Sequence, residues 1–153
     1  MSAGRDKIKL TPEELEDYLR SEMKVQVATI GPDGAPHLST LFYVVDDGKI
    51  CFWTYGRSQK IRNLERDPRI SCLVESGTDY FELRGASITG TAELVRDTTE
   101  IARLGHLVAT RMVGGADIGE LGAAEVGRQA QKRVAVVVTP DKTASWDHSK
   151  MVG

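Results

Sequence analysis

The sequence predicts an α+β protein made mainly of antiparallel β-structure, a small barrel of about six strands with peripheral helices. Three observations lead to this fold class. A helix signal lies near the N-terminus, alternating apolar segments separated by turn residues occupy 24–95, and a β-branched run, "RVAVVVTP", follows at 133–140. A chain of 153 residues has the usual length of one domain.

The first helix is marked by the segment "LTPEEL". Thr11 is the predicted N-cap, Pro12 takes the first helical position, and Glu14 completes a capping box. Leu10 and Leu15 occupy the two positions of a hydrophobic staple. An apolar stripe then continues the helix for about three turns.

Residues 24–55 are predicted to form three strands joined by two tight turns. The turn signals are Gly-Pro-Asp-Gly at 31–34 and Asp-Asp-Gly at 46–48, because glycine accepts a positive φ and aspartate caps its own turn. Side chains of different character alternate from His37 to Val44, so the second strand has two distinct faces. Such a meander needs further strands to cover it.

Those further strands follow a short helix. Ser58 is the predicted cap of this helix, an Asp-Pro pair ends it, and "RISCLVE" at 69–75 is the fourth strand. A long fifth strand is predicted over 80–95. Its apolar side chains occupy odd-numbered positions before Gly85 and even-numbered positions after it, which indicates a β-bulge or a sharp bend at this glycine.

The remaining chain is interpreted as two helices and a last strand. One helix is predicted over 98–110, another begins near Glu120, and the strand at 133–140 extends past Pro140. With no internal repeat and no linker, residues 1–153 are interpreted as one domain. Its parts are an N-terminal helix segment at 1–23, the main barrel strands with their short helix at 24–95, a helical region at 96–132, and the final strand with its tail at 133–153.

Composition argues against several classes of protein. A content of 41% hydrophobic and 27% charged residues is typical of soluble globular proteins, and a formal net charge of −2 argues against a general nucleic-acid binder. The first residues lack the apolar core of a signal peptide, and no apolar run approaches the roughly 20 residues that span a bilayer. We therefore expect a cytoplasmic protein with no nucleic-acid or membrane partner.

Cysteine and histidine do not form a metal-binding pattern. Cys51 and Cys72 each lie in an apolar run and are interpreted as core residues. No CxxC or HxxxH spacing supports a zinc site, and His37, His106 and His148 lie far apart in the chain. No metal is expected.

The strongest functional signal is a basic segment, "WTYGRSQKIRNLERDPR". Five basic and two acidic side chains give it a local net charge of +3 within an acidic chain. One interpretation is a solvated helix face with ion pairs such as Glu65–Arg69 at i,i+4. The other is a phosphate site, because Arg57 and Ser58 precede the helix and Lys60 lies in its first turn. The helix dipole disfavours cations there unless an anion is present.

The position and pattern of this segment identify a family resemblance. The segment includes the end of an aromatic strand, "ICFWT", which suits a ligand with a flat ring and a phosphate, as in flavin-type cofactors. Residues 27–75 resemble the pyridoxamine 5′-phosphate oxidase-like superfamily of split β-barrels in their aromatic-aromatic-Thr strand end, Ser/Arg-x-Lys turn, Asn-Leu helix and closing Asp-Pro-Arg. Within it, the chain is most similar to the actinobacterial flavin/deazaflavin oxidoreductases, many of which use coenzyme F420 and some FMN.

The resemblance implies a six-stranded split β-barrel that forms a homodimer, with each cofactor wedged between the subunits. Three residues are implied to hold the cofactor phosphate, and a fourth to orient the phosphate loop: Arg57, Ser58, Lys60 and Asn63. The side chain of the cofactor is implied to be lined by Trp53 and Thr54. Its ring is implied to lie along Ser39, Thr40 and Leu41. Four are implied to contribute across the dimer: Val74, Glu75, Tyr80 and Trp146. The residues alone leave the two tryptophans open as core aromatics and the second-strand residues open as ordinary strand positions.

The implied activity is hydride transfer between bound coenzyme F420 and a small organic acceptor. The polyanionic tail of F420 gives a reason for the further arginines Arg62, Arg66 and Arg69. An FMN-dependent oxidase or reductase is the alternative, and a non-catalytic flavin or tetrapyrrole carrier is another. The chain lacks the C-terminal Arg/His segment of the true pyridoxamine phosphate oxidases, which argues against their substrate.

Catalytic residues stay unassigned at this level. The proton for the substrate has four candidate sources: Tyr43, Tyr80, His148 and water. The absence of a GxSxG-type nucleophile motif argues against a hydrolase. The glycine-rich "GGADIG" run does not follow a strand of a βαβ unit and is therefore rejected as a dinucleotide fingerprint.

Overall fold

The computed structural model describes residues 3–152, which fold into seven β-strands and five α-helices. The strands are β1 (Lys24–Ile30), β2 (Pro36–Phe42), β3 (Val44–Asp46), β4 (Lys49–Tyr55), β5 (Arg69–Ser76), β6 (Arg84–Val95) and β7 (Arg133–Asp147). The helices are α1 (Ala3–Ile8), α2 (Pro12–Ser21), α3 (Gln59–Arg66), α4 (Thr98–Met112) and α5 (Gly119–Ala130). Short 3₁₀ helices occupy Tyr80–Glu82 and His148–Met151. Among the residues described, no helix has both the length and the apolar character that crossing a membrane requires.

The strands form a single antiparallel sheet in the order β2-β1-β5-β6-β7-β4-β3. Its two edge strands, β2 and β3, are consecutive in the chain and are separated by Tyr43 alone. The sheet must therefore curl until its edges approach each other, which produces a half-barrel. The α+β class and the barrel-like fold are confirmed.

The prediction of six strands was wrong, because the second predicted strand is divided at Tyr43. The backbone N–H of Tyr43 donates to the carbonyl of Met23 (3.3 Å), and its buried hydroxyl donates to the carbonyl of Leu19. These bonds hold Tyr43 outside the sheet ladder, and β3 starts on the opposite edge. Apolar alternation does not reveal the division, since Tyr43, Val44 and Val45 are all buried.

The bulge predicted at Gly85 was also wrong in position. Residues 80–82 form a 3₁₀ helix and β6 starts only at Arg84. The change from odd to even apolar positions therefore marks the start of the strand. The irregularity lies between Thr89 and Gly90, where Asp141 is the extra residue on β7. Gly90 is needed there, because a Cβ atom would lie 2.1 Å from the carbonyl oxygen of Thr139.

The predicted capping box of α2 is confirmed. The hydroxyl of Thr11 accepts from the backbone N–H of Glu14 (3.2 Å), and the carboxylate of Glu14 accepts from the backbone N–H of Thr11 (2.8 Å). Leu10 is buried and Leu15 packs against the core, as a hydrophobic staple requires. This start places the buried side of α2 against the inner face of the sheet.

Two apolar clusters lie on opposite faces of the sheet. The larger one fills the inner face beneath α2 and α3 and includes Phe52, Ile61 and Val136. The smaller one lies between the outer face of β4 and β7 and the helix α4, and Leu104 belongs to it. Successive residues of β4 therefore contribute to different clusters, and this alternation decides which residues can share a binding site.

Candidate functional site

The start of α3 carries a buried hydroxyl, that of Ser58. Strand β4 ends at Tyr55, whose carbonyl accepts from the backbone N–H of Ser58 (3.0 Å), and α3 begins at the next residue, Gln59. Ser58 has the extended backbone of an N-cap, but its side chain makes no capping bond. Its Oγ atom is buried without a hydrogen bond in the part of the chain that the structure describes. A buried polar atom in this state costs about 1–3 kcal/mol unless a ligand satisfies it.

Lys60 places a partly buried positive charge in the first turn of the helix that Ser58 precedes. Its ammonium donates to the hydroxyl of Thr54 (3.2 Å), and burial lowers the pKa of the ammonium. Within residues 3–152, no carboxylate pairs with Lys60. The charge also lies at the positive end of the helix dipole, where an anion is the favourable neighbour. Thr54, Ser58, Lys60 and the first N–H groups of α3 are called the α3 anion site below, and their chemistry fits a phosphate group.

Asn63 fixes α3 against the sheet. Its buried amide Nδ2 donates to the hydroxyl of Thr29 on β1 (3.0 Å). Its Oδ1 accepts from Nε2 of Gln59 (2.8 Å) and from Nη2 of Arg66 (3.3 Å). The contact lies between the helix and the inner face of β1, so it anchors α3 on that strand. This placement agrees with the predicted orienting role of Asn63, which stays a prediction.

The arginines of the basic segment have different surroundings. Arg66 donates to the carbonyl of Ile30 (2.6 Å), and Arg69 forms an ion pair with Asp67 (2.8 Å). The side chains of Arg57 and Arg62 are exposed and form no hydrogen bond or ion pair among the described residues.

The expected ion pair between Glu65 and Arg69 was wrong. The carboxylate of Glu65 pairs instead with Arg96 (2.5 Å), while Arg69 uses a closer partner, Asp67. Helical spacing gave the wrong partner because α3 ends at Arg66, so Arg69 already belongs to β5.

Strand β2 divides its three candidate residues between two faces. Ser39 and Leu41 lie on the inner face, and the Oγ atom of Ser39 is another buried polar atom without a partner in the described residues. Thr40 lies on the outer face and is exposed. A single ring cannot contact all three side chains from one side of the strand, since consecutive side chains point in opposite directions.

Thr40 lines a separate depression on the outer face, which is called the outer cleft. Its volume is about 380 Å³, and its walls include Met23, Gln26, Leu73 and Glu75. The structure thus brings together Thr40 and Glu75, two of the residues that the resemblance implied. Val74 does not join them, because its side chain is completely buried in the core and only its backbone can face a ligand.

Trp53 lies on the opposite face of β4 from Thr54. Its ring packs against α4 at Gly105, where a Cβ atom would lie 2.3 Å from the ring. The guanidinium of Arg133 lies 4.6 Å from the centroid of the ring. These contacts fit the interpretation of Trp53 as a packing aromatic and separate its ring from the α3 anion site.

Tyr80 and Trp146 lie where the hairpin of β6 and β7 has its open end. The ring of Trp146 packs over Gly85, and Tyr80 is exposed. The rings of Tyr80 and His148 lie 4.6 Å apart, and Nδ1 of His148 is 2.7 Å from the carbonyl oxygen of Tyr80. No contact in the described residues links this group to the α3 anion site.

Tyr43 is removed from the candidate proton donors. Burial raises the pKa of its hydroxyl well above the usual range, and the hydroxyl is already bound to a backbone carbonyl. Cys51 and Cys72 are likewise buried, and burial raises the pKa of the Cys72 thiol to about 12. Among the described residues, no group of three or more His, Cys, Asp and Glu side chains is arranged to hold a metal ion.

Two residues near the site were missed from the sequence. Gln59 supports Asn63, and His37 has a buried Nδ1 atom without a partner among the residues described. His37 shares its strand parity with Ser39, and this signal was present in the sequence. Gln59 gave no comparable signal, because polar residues are common at the first turn of a helix.

Comparison with known proteins identifies the family. Residues 11–147 match the family described as "Pyridoxamine 5′-phosphate oxidase". A conserved hypothetical protein of Mycobacterium tuberculosis, Rv2991, is 40% identical, with a TM-score of 0.91 over 97% of this chain and 92% of its own. The chain therefore belongs to the pyridoxamine 5′-phosphate oxidase family, and the predicted resemblance is confirmed.

More distant structures share the fold. An F420 reductase is 23% identical, with a TM-score of 0.64, and the match covers 84% of this chain and 94% of that protein. HutZ, a heme storage protein from Vibrio cholerae, is 18% identical, with a TM-score of 0.69 over 93% of this chain and 99% of its own. A search of the curated proteins found no match. At these identities the likeness is one of fold, which serves different ligands.

Proposed function

We propose that the protein is a cytoplasmic oxidoreductase that binds a flavin-type cofactor by its phosphate at the start of α3. Two features carry the proposal: among the described residues, the buried Ser58 hydroxyl has no hydrogen-bond partner and no carboxylate pairs with Lys60. A phosphate satisfies both at once, because its oxygens accept hydrogen bonds and carry the opposite charge. Membership in the pyridoxamine 5′-phosphate oxidase family supports a cofactor of this class.

Coenzyme F420 is the proposed cofactor, and FMN is the alternative. Arg57 precedes α3 and Arg62 lies in its first turn, and both side chains are exposed and available to further anionic groups. The polyanionic tail of F420 offers such groups, whereas FMN carries a single phosphate. Arg66 and Arg69 support the choice less than the sequence suggested, because both already have partners.

The bound cofactor would supply hydride transfer to or from a small organic acceptor. The chain would supply orientation and a dry surface. Thr54, Ser58 and Lys60 would hold the phosphate, Asn63 would keep α3 in place, and Ser39 would meet polar groups on the inner side of β2. Tyr80 and His148 remain the protein candidates for the proton, besides water.

We further propose that the protein is a homodimer. Leu38 is 73% exposed and Phe42 is 40% exposed on the edge strand β2, on the same outer face as the outer cleft. Apolar side chains on an exposed strand edge favour burial against a second copy. In this arrangement Thr40 and Glu75 would act at the boundary between subunits. Sedimentation of a monomer at micromolar concentration would contradict the shared site.

Calorimetric titration of the purified apo-protein with F420 and with FMN tests the cofactor. Saturable binding of F420 that is tighter than binding of FMN supports the proposal, and preference for FMN selects the alternative. Tryptophan fluorescence is a poor substitute, because the Trp53 ring packs on the other face of β4. Binding of neither cofactor would overturn the proposed function.

A flavin or tetrapyrrole carrier is the second candidate. The removal of Tyr43 from the proton donors favours it, because the remaining protein candidates, Tyr80 and His148, have no contact with the α3 anion site among the described residues. Turnover of the reduced cofactor with enones, quinones and tetrapyrroles separates the two functions. An enzyme oxidises the bound cofactor in the presence of one acceptor class, whereas a carrier leaves it reduced with all three.

A further inference from the structure

His37 lies on the inner face of the edge strand β2, beside the contact that fixes α3. In the ladder between β1 and β2, His37 is directly opposite Thr29. Residues paired in this way project to the same face, with Cβ atoms about 4.5–5.5 Å apart. The hydroxyl of Thr29 accepts from Asn63 of α3 (3.0 Å). His37 is therefore a neighbour of the Thr29–Asn63 contact, although 26 residues separate it from Asn63 in the chain.

The imidazole of His37 is only partly buried, yet its Nδ1 atom is inaccessible and has no partner in the described residues. In each neutral tautomer Nδ1 is either a donor or an acceptor, so it needs a hydrogen bond in both. A packing role for the ring does not require a nitrogen in this place. The position instead suits a polar ligand.

Among the described residues, three of the four buried side-chain N and O atoms without a partner lie on β2 or at the start of α3. His37 and Ser39 lie on β2, and Ser58 stands at the start of α3, next to the Gln59 that supports Asn63. The Thr29–Asn63 contact lies between these two elements. A single anionic group with several acceptor oxygens can satisfy donors that approach from both sides.

We infer that His37 is a further ligand of the cofactor, with its Nδ1–H donating to the phosphate-bearing end. This inference rests on the proposed function and adds a residue that the family resemblance did not supply. Because the bond would be made to a charged group, its loss is expected to weaken binding about tenfold.

The test is a calorimetric titration of the full-length protein and its variants with FMN, with F420, and with riboflavin, which lacks the phosphate. His37→Leu and His37→Ser remove the nitrogen and should weaken binding of FMN and F420 about tenfold. His37→Asn keeps a donor close to the position of Nδ1 and should restore most of the affinity. His106→Asn is the matched control on exposed α4 and should change nothing. Riboflavin binding should respond little in every variant.

Failure of this inference is distinguishable from failure of the proposed function. If the wild type binds FMN or F420 and both His37→Leu and His37→Ser bind equally well, the role of His37 is overturned while the α3 anion site stands. Equal weakening of FMN and riboflavin would also overturn it, because the contact would then not involve the phosphate. If the wild type binds neither phosphorylated cofactor, the proposed function and this inference both fall. Circular dichroism melting of each variant confirms that the fold is retained.

Discussion

Replacement of Asn63 by leucine tests the contact that holds α3 on the sheet. The amide is completely buried, donates to Thr29 and accepts from Gln59 and Arg66. Leucine has a similar volume and cannot make any of these bonds. The expected effect is therefore a loss of hydrogen bonding with little change in packing.

The magnitude follows from the burial of each partner. Thr29 is 2% exposed, so its hydroxyl would lose its donor without gaining water, at a cost of about 1–3 kcal/mol. Gln59 and Arg66 are exposed, so water replaces the bonds that they lose, and they add little to the loss of stability. We expect Asn63→Leu to lower the free energy of unfolding by about 2 kcal/mol. Thr29→Val leaves the buried amide of Asn63 without its hydrogen-bond acceptor and should lower the free energy of unfolding by a similar amount.

Urea unfolding of the two single variants and the double variant measures the coupling. For an m-value of about 2 kcal/mol/M, each single variant lowers the midpoint by roughly 1 M. The double variant removes both polar partners and should lose about 1–2 kcal/mol less than the sum of the single losses. Gln59→Ala is the control and should change stability by less than about 0.5 kcal/mol. Additive losses in the double variant would refute the reasoning.

Two further predictions concern stability elsewhere in the chain. Gly105→Ala should destabilise the protein, because a Cβ atom 2.3 Å from the Trp53 ring costs about 1–3 kcal/mol and exceeds the helical gain of about 1 kcal/mol. Gly127→Ala meets nothing within 4 Å and should raise the melting temperature, so equal stabilisation by both variants would contradict the placement of Trp53. Hydrogen bonding from Lys150 and in the capping box lowers the pKa of Glu14 from 4.5 to about 2. This stabilising contribution is complete above pH 4.5 and is lost as the pH falls towards 2, so Glu14→Gln should flatten the stability profile in that interval; an unchanged acid slope in urea titrations would count against it.

Local sequence signals predicted much of the fold. The capping box of α2 needs only Thr11, Glu14 and their spacing, and the turns between strands need only their glycines and aspartates. The division at Tyr43 was not predictable, because it depends on bonds to Leu19 and Met23, which belong to another part of the chain. The position of the bulge also depends on a partner strand that lies about 50 residues away in the sequence.

The candidate site was predicted in part for the same reason. Ser58 and Lys60 lie within one turn of each other, so spacing alone brought them together. Trp53 and Thr54 are adjacent in sequence but lie on opposite faces, and the alternation of the strand already contained that information. The partners of Arg66 and Arg69 required the end of α3 and the position of β1, which local spacing does not give.

The central claim is that the start of α3 binds the phosphate of the cofactor. Titration of the wild type and Lys60→Met with FMN and riboflavin tests it most directly, and F420 is compared with its phosphate-free deazaflavin core in the same way. We expect the wild type to bind the phosphorylated form at least about tenfold more tightly, since charged hydrogen bonds contribute about 1.5–3 kcal/mol. Lys60→Met should remove most of this preference and leave the affinity for the phosphate-free form unchanged. Equal loss for both forms, or no preference in the wild type, would contradict the account.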